Sequence, residues 1–166
     1  DGDADVLSAS NGGVAWYENL GGGSFGPSQV ISLASAAVSV YAADLDGDGD
    51  TEVVSGINDK IAWYDNLGGG SFGPQQVIAT TAADGAISVY ATDLDGDGDA
   101  DVLSASYFDD KIAWYENLGG GSFGPQQVIT TSANGAFSMY ATDLDGDGDA
   151  DVLSASINDD KIVREA

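Results

Sequence analysis

Cysteine and histidine are both absent from this chain of 166 residues. Without cysteine the chain has no disulfide framework, no thiolate zinc site and no cysteine nucleophile. Without histidine it has no Ser-His-Asp triad and no imidazole metal ligand. The chemistry that remains belongs to carboxylate, amide, hydroxyl and backbone carbonyl oxygens, which are the ligands that hard divalent cations prefer.

Positive charge is also scarce, since 4 basic residues stand against 28 acidic ones and the formal net charge is −24. Such a charge repels phosphate, so we expect neither nucleic acid nor an anionic membrane surface as a partner. No apolar run approaches the ~18–20 residues of a transmembrane helix, so we expect no membrane insertion. Hydrophobic residues nevertheless make up 43% of the chain, which is enough for a core and excludes a disordered acidic tail.

The chain repeats itself with a period of about 50 residues, and its acidic motif recurs every 49 or 50 residues. Asp-Leu-Asp-Gly-Asp-Gly-Asp occurs at 44–50, 93–99 and 143–149. Trp-Tyr occurs at 16–17, 63–64 and 114–115, and Gly-Gly-Gly-Ser-Phe-Gly-Pro at 21–27, 68–74 and 119–125. A self-similar period of this length is typical of repeat architectures. The chain begins inside such a motif, so we expect it to be a piece of a longer or processed protein.

One unit contains four strand-length runs separated by Asp/Gly-rich and triple-glycine turns, which predicts antiparallel strands and little helix. The predicted fold class is therefore all-β, a β-propeller-type array of four-stranded antiparallel blades. Counting strands predicts 14, or about 3.5 blades in this chain. The predicted domains are a partial blade at 1–42 with strands 2–4, blade 1 at 43–86 together with 36–42, blade 2 at 87–131, and a partial blade 3 at 136–166.

An array of about 3.5 blades falls short of the ~4–8 blades of a usual closed ring. Three completions stay open: further blades of a longer chain, a second copy whose strands would make seven blades in all, or an open fibre of blades. Other copies of the chain, or further blades, are therefore expected partners.

The acidic loop follows the pattern Asp-x-Asp-x-Asp-Gly-x-x-(Asp/Glu), with carboxylates at relative positions 1, 3, 5 and 9. Alternate residues of a tight loop can point inward around one ion, and glycine at position 6 allows the sharp turn. Position 7 would offer its backbone carbonyl. The pattern predicts three calcium sites, with ligands Asp44, Asp46, Asp48, Asp50 and Glu52; Asp93, Asp95, Asp97, Asp99 and Asp101; and Asp143, Asp145, Asp147, Asp149 and Asp151.

Other interpretations of the loop are weaker. A solvated acidic turn would hold five carboxylates against their mutual repulsion. A catalytic Mg²⁺ cluster or an acid/base pair needs one asymmetric site, whereas these loops are nearly identical, so we expect no enzyme. An EF-hand requires a bidentate Glu at position 12, where this chain has serine, and it requires flanking helices.

The acidic loop between two strands, followed by Gly-Gly-Gly-Ser-Phe-Gly-Pro, resembles the FG-GAP/VCBS repeat family of the integrin α-subunit propeller and many secreted microbial surface proteins. The resemblance covers essentially the whole chain. It implies a propeller blade with a calcium ion in the loop that joins the first and second strands. A fourth ion would need another chain, because Asp1, Asp3 and Asp5 match only positions 5, 7 and 9.

Aromatic residues recur in register along the units. Trp16, Trp63 and Trp114, and likewise the Phe of each Phe-Gly, are interpreted as core between blades, because one unit cannot bury its sheet faces alone. The adjacent tyrosines point to the opposite face of the sheet. They are candidate ligand-binding residues, for example for a sugar, and they are Tyr17, Tyr64 and Tyr115.

These patterns together predict a non-catalytic, calcium-stabilised propeller module of an extracellular protein, secreted or at the cell surface. Its expected role is adhesion, scaffolding or self-assembly into a ring or fibre. A carbohydrate-binding module and the propeller domain of a polysaccharide-degrading enzyme are the alternatives. A glycan or a surface protein is a further possible partner. Unit-to-unit variation is largest in the turn between the second and third strands, which makes that edge the favoured place for partner recognition.

Overall fold

The computed structural model describes residues 2–57, 59–80 and 83–165. Every helix or strand element in these ranges is a strand, and none of the described residues forms a helix that could span a membrane. In chain order the strands are β1 (Val6–Ser10), β2 (Gly13–Tyr17), β3 (Gln29–Ser32), β4 (Ala37–Ala43), β5 (Glu52–Ile57), β6 (Lys60–Tyr64), β7 (Gln76–Ala79), β8 (Ala86–Thr92), β9 (Asp101–Ser106), β10 (Lys111–Tyr115), β11 (Gln127–Thr130), β12 (Ala136–Thr142), β13 (Asp151–Ser156) and β14 (Lys161–Glu165).

Within the described ranges the strands form four antiparallel sheets, in the orders β1-β2-β3, β4-β5-β6-β7, β8-β9-β10-β11 and β12-β13-β14. Within each sheet, every strand pairs with the next strand along the chain, as in the blades of a propeller. The predicted all-β, propeller-type array is confirmed, and the sheets do not close into a ring. The predicted blade ranges also include residues 1, 58, 81, 82 and 166, which lie outside the described residues.

The hydrophobic core lies between successive sheets, as three separate clusters. The first joins the first two sheets around Val14 and Ile57, the second joins the middle sheets around Val54 and Val102, and the third joins the last two around Leu103. Each sheet therefore buries a face against its neighbour, and stability follows the nearest-neighbour logic of repeat proteins.

The Trp-Tyr pair of each unit serves both faces of a middle sheet. Side chains alternate along a strand, so Trp63 packs toward the third sheet while Tyr64 packs toward the first. Trp114 and Tyr115 repeat this arrangement one sheet later. The interpretation of the tryptophans as inter-blade core is correct for Trp63, which is 4% exposed, and Trp114 is half-buried.

The triple-glycine turn has a backbone that few other residues adopt. Gly68, Gly69 and Gly70 have φ values of 77°, 60° and 77°, which are left-handed and cost little only for glycine. The turn is closed by the N–H of Leu67, which donates to the carbonyl of Ser71 at 2.9 Å. It carries the chain over the edge of the neighbouring sheet, where Trp16 lies against Gly70.

The first strands of the three later sheets bring one tyrosine from each together. Tyr41, Tyr90 and Tyr140 stack in order, with ring centroids 4.6 Å and 5.0 Å apart. Burial raises the pKa of Tyr90, and its hydroxyl bonds with Tyr140 and Tyr41 add to this effect. The stack links three sheets along their first strands.

Candidate metal-binding loops

Each acidic loop joins the first and second strands of its sheet, which is where the family resemblance implies a calcium loop. The first loop lies between β4 and β5, the second between β8 and β9, and the third between β12 and β13. The loop is anchored by its leucine, which lies in the core at Leu45 but is 46% exposed at Leu144. The three loops therefore have the same place in their sheets, but the loop leucine is buried to different degrees.

Carboxylates of the loop organise its own backbone. In the first loop, Asp44 accepts from the N–H groups of Gly47 at 2.7 Å and Gly49 at 3.1 Å. Asp48 accepts from the N–H of Asp50 at 2.8 Å. The second and third loops repeat these bonds at distances of 2.6–3.1 Å. Such Asx-type bonds hold the loop in a fixed curve and turn the carboxylates toward its concave side.

Three carboxylates converge in each loop, with oxygens that all lie within 4.8 Å of one another. The converging sets are Asp44, Asp46 and Asp48; Asp93, Asp95 and Asp101; and Asp143, Asp145 and Asp151. Like charges at this separation repel unless a cation lies between them. A cluster of hard oxygens on a tight loop fits a calcium ion by its chemistry.

The position-nine carboxylate comes from the start of the second strand and is buried in the first two loops. Glu52 and Asp101 are 0% exposed. Each accepts from the loop leucine, as Glu52 does from the N–H of Leu45 at 2.7 Å. The second oxygen of Glu52, Oε1, accepts no hydrogen bond in the part of the chain that the structure describes. A buried, unpaired carboxylate oxygen is costly, and a cation in the loop would satisfy it.

The pKa values of the buried position-nine carboxyls also indicate that these loops suit a cation. Burial raises the pKa of Glu52, and the charges of Asp46, Asp44 and Asp48 raise it further. Burial likewise raises the pKa of Asp101, against the opposing effect of its hydrogen bonds. These carboxyls lack a compensating positive charge in the described structure. A bound divalent ion would reverse the shift by favouring the ionised forms.

Other predicted ligands lie outside the converging sets. Asp97, Asp147 and Glu52 are not among the groups within 4.8 Å, although Glu52 occupies the same place in sequence as Asp101. The position-seven residues Asp50, Asp99 and Asp149 donate a backbone N–H to the position-five carboxylate. For the half-loop, Asp5 accepts from the N–H of Asn19 at 2.8 Å, whereas Asp1 lies outside the described residues.

Sequence reasoning missed an asparagine that follows the Trp-Tyr strand and braces the acidic loop of its own unit in the first three sheets. Asn117 donates its backbone N–H to Asp101 at 2.8 Å and its side-chain amide to the carbonyls of Ala100 and Leu45. The bond to Leu45 crosses to the loop of the preceding sheet. Within their own units, Asn19 and Asn66 each donate the side-chain amide to a backbone carbonyl, as Asn117 does to Ala100. The recurrence of Asn two residues after Trp-Tyr was the signal available in the sequence.

Two of the three candidate ligand-binding tyrosines are buried between sheets. They do lie on the face opposite the tryptophans, and Tyr64 and Tyr115 are buried there, each 1% exposed. Their hydroxyls accept from Gln75 at 2.9 Å and Gln126 at 2.8 Å. The reason is that the preceding sheet covers this face. Tyr17 belongs to the first sheet and is half-buried.

Blade-like sheets that each present an acidic loop between their first two strands define the class of this protein as a β-propeller-type repeat protein with candidate metal loops. The chain belongs to the FG-GAP-like repeat family, whose model matches residues 1–55, 44–104 and 93–154. The resemblance seen in the sequence is thereby confirmed. No curated protein matches the chain significantly.

Among solved structures, the chain is similar to a lectin of Agrocybe aegerita, described as specifically recognising non-reducing terminal N-acetylglucosamine. The TM-score is 0.64 and the identity 24%, over 92% of this chain and 43% of the lectin chain. This chain therefore spans less than half of that protein's length. At this identity the similarity shows the fold alone.

Proposed function

We propose that the chain is a non-catalytic, calcium-stabilised propeller module of a secreted or cell-surface protein, acting in adhesion, scaffolding or self-assembly. The observation that carries the proposal is the threefold convergence of carboxylates in loops that hold the same backbone bonds. A structural role agrees with this repetition, because every inter-sheet contact needs its loop fixed in the same way.

The residues that would hold calcium are the converging carboxylates, joined in the first loop by the unpaired Oε1 of Glu52. Calcium bound there supplies positive charge that removes the repulsion among them. The chain's own residues position the loop for the ion. The loop N–H groups orient Asp44, and the buried Leu45 fixes the loop on the core. In a chain without cysteine, these sites would replace disulfides as staples.

The absence of catalysis is part of the proposal. The loops present the same groups three times, whereas an acid/base pair needs two carboxyls whose environments push their pKa values apart. An extracellular location is proposed because modules there meet calcium concentrations that saturate Kd values of about 10⁻⁴–10⁻³ M. Partners among further blades or copies of the chain agree with sheet faces that pack by repetition.

Chelation is the direct test of the calcium proposal. Calcium that binds only the folded loop adds about 2.7 kcal/mol per site at free calcium of about 100 Kd, against a typical domain stability of ~5–15 kcal/mol. We therefore expect excess chelator to lower the Tm sharply and added calcium to restore it, as measured by circular dichroism.

Two matched variants sharpen this experiment. Asp93→Asn removes a carboxylate from the second loop and should reduce the calcium-dependent gain in Tm. Asp84→Asn makes the same charge change at an exposed position outside the loops and should leave that gain unchanged. A Tm that is the same in chelator and in calcium would contradict the proposal.

Carbohydrate binding is a second candidate, favoured by an exposed aromatic pair. Tyr107 and Phe108 pack edge to face with centroids 5.3 Å apart in the β9–β10 turn, and Phe108 is 70% exposed. This turn belongs to the variable edge noted in the sequence, and exposed aromatic rings are suited to stacking on sugars. The similar lectin, whose title names N-acetylglucosamine, makes that sugar the first to test.

A glycan array in calcium tests this candidate. We expect Phe108→Ala to lose any binding that the unmodified chain shows, and Tyr64→Phe, a change at a buried ring, to retain it. An array without binding, or binding unchanged in Phe108→Ala, would reject this role for the pair.

A further inference from the structure

The third acidic loop contains a cation supplied by the chain itself. The guanidinium of Arg164, on β14, donates from Nη2 to Asp145 at 2.6 Å and to Asp151 at 2.6 Å, and from Nε to Asp151 at 2.9 Å. Both acceptors belong to the converging set of this loop. The arginine lowers the pKa of Asp145, in contrast to the raised pKa values in the other loops.

Arg164 occupies the place that tryptophan holds in the other units. It pairs across the sheet with Leu153, as Trp114 pairs with Leu103 and Trp63 with Val54. It is also the only arginine in the chain. Among the described residues no basic side chain forms an ion pair with the first or second loop, since the other pairs join Lys111 to Asp109 and Lys161 to Asp159.

The arginine also takes over a hydrogen bond that the backbone makes elsewhere. Beside the second loop, the N–H of Asn117 donates to Oδ1 of Asp101, and in the N-terminal sheet the N–H of Asn19 donates to Asp5 of the half-loop. In the last unit, Oδ1 of Asp151 accepts from Arg164. The guanidinium therefore fills the third loop with both charge and donors, a fork geometry suited to carboxylates.

We infer that the three loops, identical in sequence over Asp-Leu-Asp-Gly-Asp-Gly-Asp, are not equivalent metal sites, and that Arg164 makes the third the weak one. This rests on the proposed calcium function. A calcium ion entering the third loop must displace the guanidinium from two carboxylates, whereas none of the described basic side chains pairs with the first two loops. The chain thus combines two loops that lack a basic partner among the described residues with one in which two of the five carboxylates are already paired.

Calorimetric titration of the chelated chain with calcium tests the inference. We expect two tighter sites and one about tenfold weaker, the cost of breaking two partly exposed ion pairs. Asp145→Asn should remove the weak site, and Asp95→Asn one of the tight sites. Arg164→Gln should tighten the weak site by about tenfold, while Lys161→Gln, which removes the neighbouring charge outside the loop, should change nothing.

A readout without calcium separates the possible failures. In chelator, Arg164→Gln should melt at a lower temperature than Lys161→Gln, because two loop carboxylates lose their counter-charge. Equal melting of the two variants, or three equal sites unaffected by Arg164→Gln, would overturn the inference and leave the calcium function standing. No calcium binding at any loop would overturn the proposed function, and the inference with it.

Discussion

Glu52 is a loop carboxyl group that is both buried and close to other negative charges. It is 0% exposed, one of its oxygens is unpaired among the described residues, and its pKa is raised from the ordinary value of 4.5 by burial and by neighbouring carboxylates. An acid whose pKa is raised by folding stabilises the fold while it is protonated. That contribution is lost as the pH rises through the folded-state pKa.

The change Glu52→Gln should therefore have effects of opposite sign with and without calcium. In chelator at neutral pH we expect the variant to be more stable by about 1 kcal/mol, because a neutral amide replaces a buried, repelled charge. This gain should shrink as the pH falls, because burial raises the pKa of Glu52 and the acid of the original chain becomes protonated. In saturating calcium the variant should be less stable by roughly 1–2 kcal/mol, because the lost site contribution of about 2.7 kcal/mol exceeds the gain from removing the charge.

Urea denaturation at two pH values, with and without calcium, measures these differences. Glu116→Gln is the control, because Glu116 follows the Trp-Tyr pair and lies outside the acidic loops. A variant that is destabilised to the same degree in chelator and in calcium would show that Glu52 acts through packing alone.

At the residue scale the sequence predicted the loop carboxylates but not their partners. The 1-3-5-9 spacing indicates converging side chains because the loop is local. The bracing asparagine and Arg164 reach the loop from another strand, so their contacts depend on the pairing register. The buried tyrosines show the same limit: strand alternation predicts the face, but only the neighbouring sheet decides whether that face is covered.

The triple-glycine turn is one of the elements that contact the neighbouring sheet. Gly121 lies directly against the buried ring of Trp63 from the preceding sheet, and a Cβ there would lie 2.6 Å from Cη2 of that ring. Its neighbour Gly120 has a similar left-handed φ, but a Cβ there meets nothing within 4 Å. The two positions therefore share the backbone constraint and differ only in the contact.

This pair allows a controlled prediction. Gly120→Ala should cost about 1 kcal/mol through its left-handed backbone alone. Gly121→Ala should cost about 1–3 kcal/mol more, because a buried tryptophan cannot move aside without disturbing the core. The shift in the midpoint of urea unfolding measures both. Equal losses would mean that the turn and the tryptophan do not hold the sheets together.

At the element scale, strand identity and order were predictable because turn chemistry and alternation are local signals. The glycines were interpreted as hairpin turns, which is how they fold. Their second role, as a flat surface for a tryptophan from the neighbouring sheet, arises only from packing between units. A single unit read by itself contains no sign of it.

The same kind of contact between neighbouring sheets recurs along the molecule. The burial of the phenylalanine in each Phe-Gly nevertheless changes from one sheet to the next. Phe72 and Phe123 are half-buried and pack against the clusters between sheets, whereas Phe25 of the first sheet is 48% exposed. The same residue type in the same turn thus meets different surroundings, according to whether a sheet precedes it in the structure.

We expect the three Phe→Ala variants to differ accordingly in this chain. Phe72→Ala and Phe123→Ala should each cost about 2–3 kcal/mol, somewhat less than a fully buried phenylalanine. Phe25→Ala should cost less than about 1 kcal/mol. Urea denaturation followed by tryptophan fluorescence measures the series. A loss at Phe25 as large as at Phe72 would show that a further surface covers the first sheet in solution.

At the scale of the molecule, the repeat period predicted the array of blades, because a unit that recurs must meet its neighbours in the same way. The period does not predict how individual units differ from one another. The first sheet exposes its phenylalanine and the last carries an arginine in place of a tryptophan, and both depend on what lies beside one particular copy of the unit.

The stacked rings of Tyr41, Tyr90 and Tyr140 have an optical consequence. Their centroids are 4.6 Å and 5.0 Å apart, and the ring planes of successive pairs are inclined at 54° and 53°. Chromophores that are close and skewed in this way couple their electronic transitions and absorb left and right circularly polarised light unequally. The near-ultraviolet dichroism of the phenols is therefore a built-in gauge of the spacing between adjacent sheets, readable without a label.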